Sequence, residues 1–195
     1  MGKNILLIQG HPDASQEHLC HALADAYAGG AEGAGHTVRH STVATLDFPL
    51  LRNPREWEQA DPPASLRQVQ DDIRWAQHLV LVYPLWLGDM PALLKGFLEQ
   101  VARPGFAFAR DQLTPLAKKP LAGRSARLIV TMGMPALVYR WYFRAHSVKS
   151  LKRNILRFVG IAPVHETLIG MAGSPDADTI ADWVGKMQAL GRNAS

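Results

Sequence analysis

Cysteine is nearly absent. Cys20 is the only one in 195 residues, so no internal disulfide framework exists and a reducing compartment is the simpler setting. Long apolar runs are missing too. Nothing approaches the ~20 residues that a membrane-spanning helix needs. The N-terminal run at residues 5–8 is too short for a secretory core and is closed by Gln9 and Gly10. Met-Gly opens the chain, but Leu6 stands where a myristoylation signal requires Ser or Thr. These absences lead us to expect a cytoplasmic protein without stable membrane insertion. Acidic residues are missing from one long stretch: residues 118–157 hold ten Lys or Arg and no Asp or Glu. No nucleic-acid motif or aromatic platform accompanies that stretch, so it reads as a solvated basic face, with attraction for a phosphorylated co-substrate as a second use.

Neither phosphate-binding glycine pattern is present. The segment "GHPDASQEHLCHAL", residues 10–23, lacks the spacing of a dinucleotide fingerprint and carries no Walker lysine. A metal set is missing as well. His18 and His21 share a helix face, Cys20 points elsewhere, and no carboxylate or further cysteine completes a coordination sphere in the local sequence. No metal is expected.

What remains is an alternation of short apolar runs with helix-period segments. Residues 4–9 (NILLIQ) read as a buried strand, followed by a helix whose apolar residues recur from Leu19 to Tyr27 and which Gly29–Gly30 and the segment from Gly33 to Gly35 end. Further strands are expected at 37–43, 79–83, 127–132 and 164–169. Helices follow at 64–77, from Asp89 (cap) and Pro91 through Val101, over 148–159, and from Ser174–Pro175 onward. Residues 47–63, with four prolines, and 103–123 read as irregular excursions. Strands buried on both faces and each followed by a helix mean an α/β doubly wound sheet, five parallel strands in the order 2-1-3-4-5 with helices on both faces. Without repeats or a linker, residues 1–195 form a single domain. In that order the first and third strands straddle the reversal of winding, where ligands bind beyond the carboxyl ends.

Three loops lie at that edge. In the first, backbone N–H groups and the helix dipole favour an anion, Ser15 can cap the helix or donate to a phosphate, and His11 and His18 can add hydrogen bonds. In the second, "YPLWLGDMP", Pro84 ends pairing and Leu85, Trp86 and Leu87 offer an apolar edge with main-chain donors for a planar amphipathic ring. In the third, "TMGMPALVY", Gly133 permits close approach and Thr131 supplies a hydroxyl. Tyr139 and His146 beyond it could donate to developing negative charge; alternatively Tyr139, Trp141, Tyr142 and Phe143 are a packing cluster.

Taken together, "GHPDAS", "YPLWLGDMPALLKGFLEQV", "TMGMPALVY" and the later "RFVGIAP" resemble the flavodoxin-like NAD(P)H:quinone oxidoreductases, the group of DT-diaphorase and its shorter bacterial relatives. The resemblance implies a bound flavin, FMN with FAD as the alternative, and NAD(P)H as co-substrate. It assigns His11, Ser15, His18 and Leu19 to the phosphate end, Pro84, Leu85, Trp86 and Leu87 to the ring, and Thr131, Met132 and Gly133 to the third contact. Tyr139 matches the family's active-site tyrosine, and His146 matches its histidine one residue late. Gln16 and His18 stand where many relatives have Ser and Asn, and Met134 replaces a glycine. The implied activity is two-electron, ping-pong hydride transfer from NAD(P)H through the flavin to a quinone-like acceptor. A homodimer is implied, with the two excursions as dimer elements. The rival readings are a regulatory flavoprotein subunit docking on a membrane transporter and an electron-carrier flavodoxin; the latter expects an acidic surface, against a pI near 9.4.

Overall fold

The computed structural model describes residues 2–108 and 119–195. Five strands, β1 Asn4–Gln9, β2 Thr37–Thr42, β3 His78–Pro84, β4 Ser125–Thr131 and β5 Val164–Ile169, form one sheet in the order β2-β1-β3-β4-β5. Every pairing is parallel, with Ile5 opposite Val38 and His78, and Ala126 opposite Leu79 and Val164. The expected order is therefore the observed one.

Strand parity builds two cores. Ile5, Leu7, Val80, Val82 and Ile129 point to one face, under α1 (Leu19–Gly33) and α7 (Ala177–Arg192). Leu6, Ile8, Leu79, Leu81 and Leu128 point to the other, under α3 (Ala64–Trp75), α4 (Ala92–Val101) and α6 (His146–Ser150). Each fully buried side chain of this size stabilises the fold by about 1.5–3 kcal/mol. The edge strand β2, paired along one side only, is polar at five of its six positions.

Several expected boundaries move, each for a local reason. The first helix continues through Gly29 and Gly30 to Gly33; Gly30 is no terminator but a close-packing position, where a side chain would collide with the main chain of Gln188 as α1 packs on α7. Ser15 is not its cap; His18 is. Pro91, not Asp89, precedes the first residue of α4, and Asp89 Oδ1 instead accepts from the Met90 N–H at 2.7 Å. Asp176 caps α7 by accepting from the Thr179 N–H at 2.8 Å, two residues beyond Ser174. The irregular stretch 47–63 contains a short helix, α2 (Pro54–Glu58), capped by Asn53. The helix expected over 148–159 begins at His146 as α6 and continues as a π-helical stretch, Leu151–Leu156. α5 (Ala136–Trp141) follows β4. Part of the second excursion, 109–118, lies outside the described residues.

Candidate active site at the carboxyl edge of the sheet

The loops after β1, β3 and β4 meet in one crevice. The His11 and Trp86 rings touch edge to face, centroids 5.8 Å apart at 80°, joining the first loop to the second. The Leu85 N–H donates to the Thr131 carbonyl at 2.7 Å, joining the second to the third.

The first loop is fastened from below. Gln9 donates through Nε2 to the Cys20 carbonyl (2.9 Å) and accepts from the His11 N–H (3.1 Å), so one buried amide staples the loop to the start of α1. His11 is buried, and its Nδ1 accepts from the Asp13 N–H at 3.1 Å. His18 stacks on it at 3.8 Å, and His21 lies 5.5 Å away. Burial above all lowers the His11 pKa and favours its neutral form. Asp13 is the polar hub. It accepts from the Ser15 hydroxyl (2.6 Å), the Ser15 N–H (2.8 Å), His18 Nε2 (2.8 Å) and Gln16 Nε2 (3.3 Å). The Ser15 hydroxyl first, then His18, holds that carboxyl well below the usual carboxylate range. Leu19 opens α1, and in its first turn the His21 N–H donates to the His18 carbonyl at 2.8 Å.

In the second loop, Trp86 and Asp89 exchange both main-chain hydrogen bonds, at 2.8 and 3.0 Å. Leu87 (φ +48°) and Gly88 (φ +83°) form the two-residue turn between them. The expectation of free N–H groups at Leu85 and Trp86 is thus corrected, since both are engaged. The loop presents side chains instead: Leu87 is fully exposed and Trp86 half exposed. Left-handed backbone at a leucine costs of order 1 kcal/mol, and such outliers collect at ligand clamps.

The third loop departs most from expectation. The Thr131 side chain is buried, with its hydroxyl 3.2 Å from Cys20 Sγ. It lies under the sheet rather than at a ligand's rim. Met132 is also in the core. Gly133 alone is open, with no atom within 4 Å of where a Cβ would stand. Beside it lies a cavity of about 420 Å³ lined by Gly133, Met171, Ser174, Thr179 and Trp183 among others. A larger cavity, about 560 Å³, sits on the flank between α2, α4 and the π-helical stretch, away from these loops.

Tyr139 and His146 stand in different surroundings, the first buried and the second exposed. Tyr139 is 2% exposed, its Oη is 2.7 Å from Ser147 Oγ and accepts from the Val148 N–H at 3.3 Å. It is a core residue whose hydroxyl is engaged at the start of α6, the packing alternative the sequence also offers. His146 is exposed at the first position of α6, after two left-handed residues, Arg144 and Ala145. Tyr139→Phe is therefore expected to lower stability by about 1–2 kcal/mol, read by urea unfolding, while turnover changes less than about twofold. Collapsed turnover at unchanged stability would return the hydroxyl to the reaction.

Sequence reading passed over Asp13, Gln9 and the Cys20–Thr131 contact. Asp13-Ala14-Ser15 does carry a signal, because an aspartate two residues before an N–H favours a local side-chain turn. Among the described residues no group of three or more His, Cys, Asp or Glu is arranged to hold a metal ion. None of the described helices is long and apolar enough to cross a membrane.

Comparison with known proteins agrees with this architecture. A Haemophilus influenzae protein named an uncharacterized NAD(P)H oxidoreductase is 26% identical over 171 residues, covering 86% of this chain and 83% of that protein. An FMN-dependent NADH:quinone oxidoreductase of Beijerinckia indica is 27% identical over 146 residues, 73% of this chain and 70% of its own. The solved NAD(P)H:quinone oxidoreductase from Methanothermobacter marburgensis superposes with a TM-score of 0.83 at 21% identity, over 99% of this chain and 97% of that one, and shares the fold. A family model described as Flavodoxin-like fold matches residues 3–190. The chain belongs to that flavodoxin-like family.

Proposed function

We propose that the crevice holds a flavin, FMN as in the named relative, and that the chain is an NAD(P)H oxidoreductase reducing a quinone or similar acceptor. The observation that carries this reading is the meeting of three loops at the winding reversal, with apolar side chains on one wall and an open glycine on another. Leu85, Trp86 and Leu87 suit the face of a planar ring, and Gly133 leaves room for its edge. The donors of Ser15, Gln16 and His18, with the first turn of α1, form the polar end. When bound, the flavin supplies the redox chemistry, accepting hydride from NAD(P)H and passing two electrons onward. The protein's share is orientation, exclusion of water and a proton at the right atom. His146 is the exposed side chain this reading assigns to the proton.

The same reading takes in a homodimer, which would cover Leu137, Trp141 and Tyr142, exposed on or next to α5. A cytoplasmic setting goes with it, since the single Cys20 leaves no internal disulfide to form. The cavity beside Gly133 is the observation that keeps FAD as the alternative to FMN.

The test is direct. The purified protein should be yellow, or take up FMN with quenched emission, and mass determination of the released flavin distinguishes FMN from FAD. Varied NAD(P)H and quinone should give parallel, ping-pong lines. Failure to take up either flavin sinks the reading.

A further inference from the structure

The loop assigned to the cofactor's phosphate already contains an anion. Four donors close on the Asp13 carboxylate: the Ser15 N–H and hydroxyl, Gln16 Nε2 and His18 Nε2, at 2.8, 2.6, 3.3 and 2.8 Å. Main-chain donors of the loop turn inward as well. The His18 N–H goes to His21 Nδ1 at 3.0 Å, and those of His11 and Asp13 go to Gln9 Oε1 and His11 Nδ1. No permanently charged cation in the loop offsets the charge; the one basic side chain on the carboxylate is His18. Residues 10–23 include two acids, Asp13 and Glu17, and no Lys or Arg. Of the three imidazoles nearby, His18 meets the carboxylate directly, while His11 and His21 each accept a main-chain N–H through Nδ1.

Resting on the flavin reading above, we propose that Asp13 is a specificity residue that competes with the cofactor's phosphate, so that the site recognises the flavin ring and barely distinguishes FMN from uncharged riboflavin. An incoming phosphate dianion has two options. It can take the donors of Ser15, Gln16 and His18, leaving the carboxylate uncompensated beside it. Or it can share them with a like charge a few ångströms away. Both cost affinity that riboflavin does not lose. The dipole of α1 favours the phosphate, but Asp13 stands in the same field and is stabilised by it too.

Asp13→Asn removes the charge and keeps the turn, because the Asn oxygen still accepts from both Ser15 donors, while its Nδ2 no longer accepts from Gln16 and His18. Fluorescence-quench titrations with FMN and with riboflavin are read on the wild-type protein freed of flavin and on the variant. We expect the wild type to bind the two flavins within about fivefold of each other, and Asp13→Asn to tighten FMN about tenfold with riboflavin unchanged. A wild-type preference for FMN of a hundredfold or more overturns the proposal. So does a variant that binds FMN more weakly, or one that shifts both flavins equally. Wild-type salt dependence is a second measurement that needs no variant. Raising ionic strength screens a repulsion, so FMN should tighten a few-fold between about 0.05 and 0.5 M salt while riboflavin does not move; weakening of FMN by salt is the contrary outcome. If neither flavin binds either protein under any condition, the flavin reading itself has failed.

Discussion

Lowering the pH from 7 to 4.5 is expected to destabilise the fold by about 3 kcal/mol through one side chain, His78. It begins β3 on the edge of the sheet opposite the crevice and is 1% exposed. Nδ1 lies 2.7 Å from Ser125 Oγ, Nε2 has no partner among the described residues, and the ring stacks against Tyr27, centroids 6.4 Å apart. Burial, then the nearby charges of Lys3 and Arg127, push its pKa from the ordinary 6.5 down to about 3. A base with a depressed folded pKa prefers the neutral form in the folded state. The unfolded chain takes up a proton below 6.5 that the folded chain refuses until about 3. Stability is therefore complete above 6.5 and falls as pH drops through that window, at about 1.4 kcal/mol per unit. Set against a typical total of about 5–15 kcal/mol, two units of loss is large. His11, lowered mainly by burial, adds in the same direction. Asp13 and Asp176 are depressed carboxylates, and their contribution is lost only as pH falls below 3.8, outside this range. Urea midpoints at pH 7 and 4.5 read the effect, and His78→Phe should remove most of the slope. An unchanged slope in the variant would mean that the imidazole opens to water at little cost.

The elements that follow from periodicity were legible in the chain. Residues 4–9 and 164–169 are strands from end to end, and the alternation of apolar runs with helices led to the 2-1-3-4-5 sheet and to its crevice. Side-chain direction was less legible, although part of it was written in strand parity. Ile129 belongs to the core under α1, so Thr131, two residues on, points the same way, toward Cys20 rather than a ligand. Parity places Met132 with Leu128 and Val130 in the opposite core. Tyr139 could not be placed by spacing, because its direction depends on where α5 starts after Pro135. One residue of the aromatic group, Tyr139, turns inward, while Trp141, Tyr142 and Phe143 stay exposed. Asp13 depends on a return of the chain that brings residues 15, 16 and 18 around a single carboxylate, and linear spacing does not show such a return.

Gly170→Ala and Gly133→Ala are expected to pull stability and ligand binding apart. Gly170 follows β5 and supports the third loop from beneath. An added Cβ would collide with the Ala136 N–H and stand 2.8 Å from the Met134 carbonyl oxygen and 3.0 Å from the Pro135 carbonyl carbon. All three neighbours are main chain, and the Met171 N–H to Met134 carbonyl bond (3.1 Å) holds them in place. No rotamer change relieves the overlap, so the loop must move. The cost is expected at the upper end of the ~1–3 kcal/mol range for overpacking, together with at least about tenfold weaker FMN binding as Gly133 is displaced with the loop. Gly133→Ala adds the same methyl to open space, where stability should stay within about 0.5 kcal/mol. Its effect should fall on FMN alone, again about tenfold, because the methyl occupies the room left for the ring's edge. Thermal or urea unfolding and FMN titration, run on both variants, read the two quantities separately. Wild-type FMN affinity in Gly133→Ala would remove the third loop from the site, leaving the ring to the wall formed by Leu85, Trp86 and Leu87.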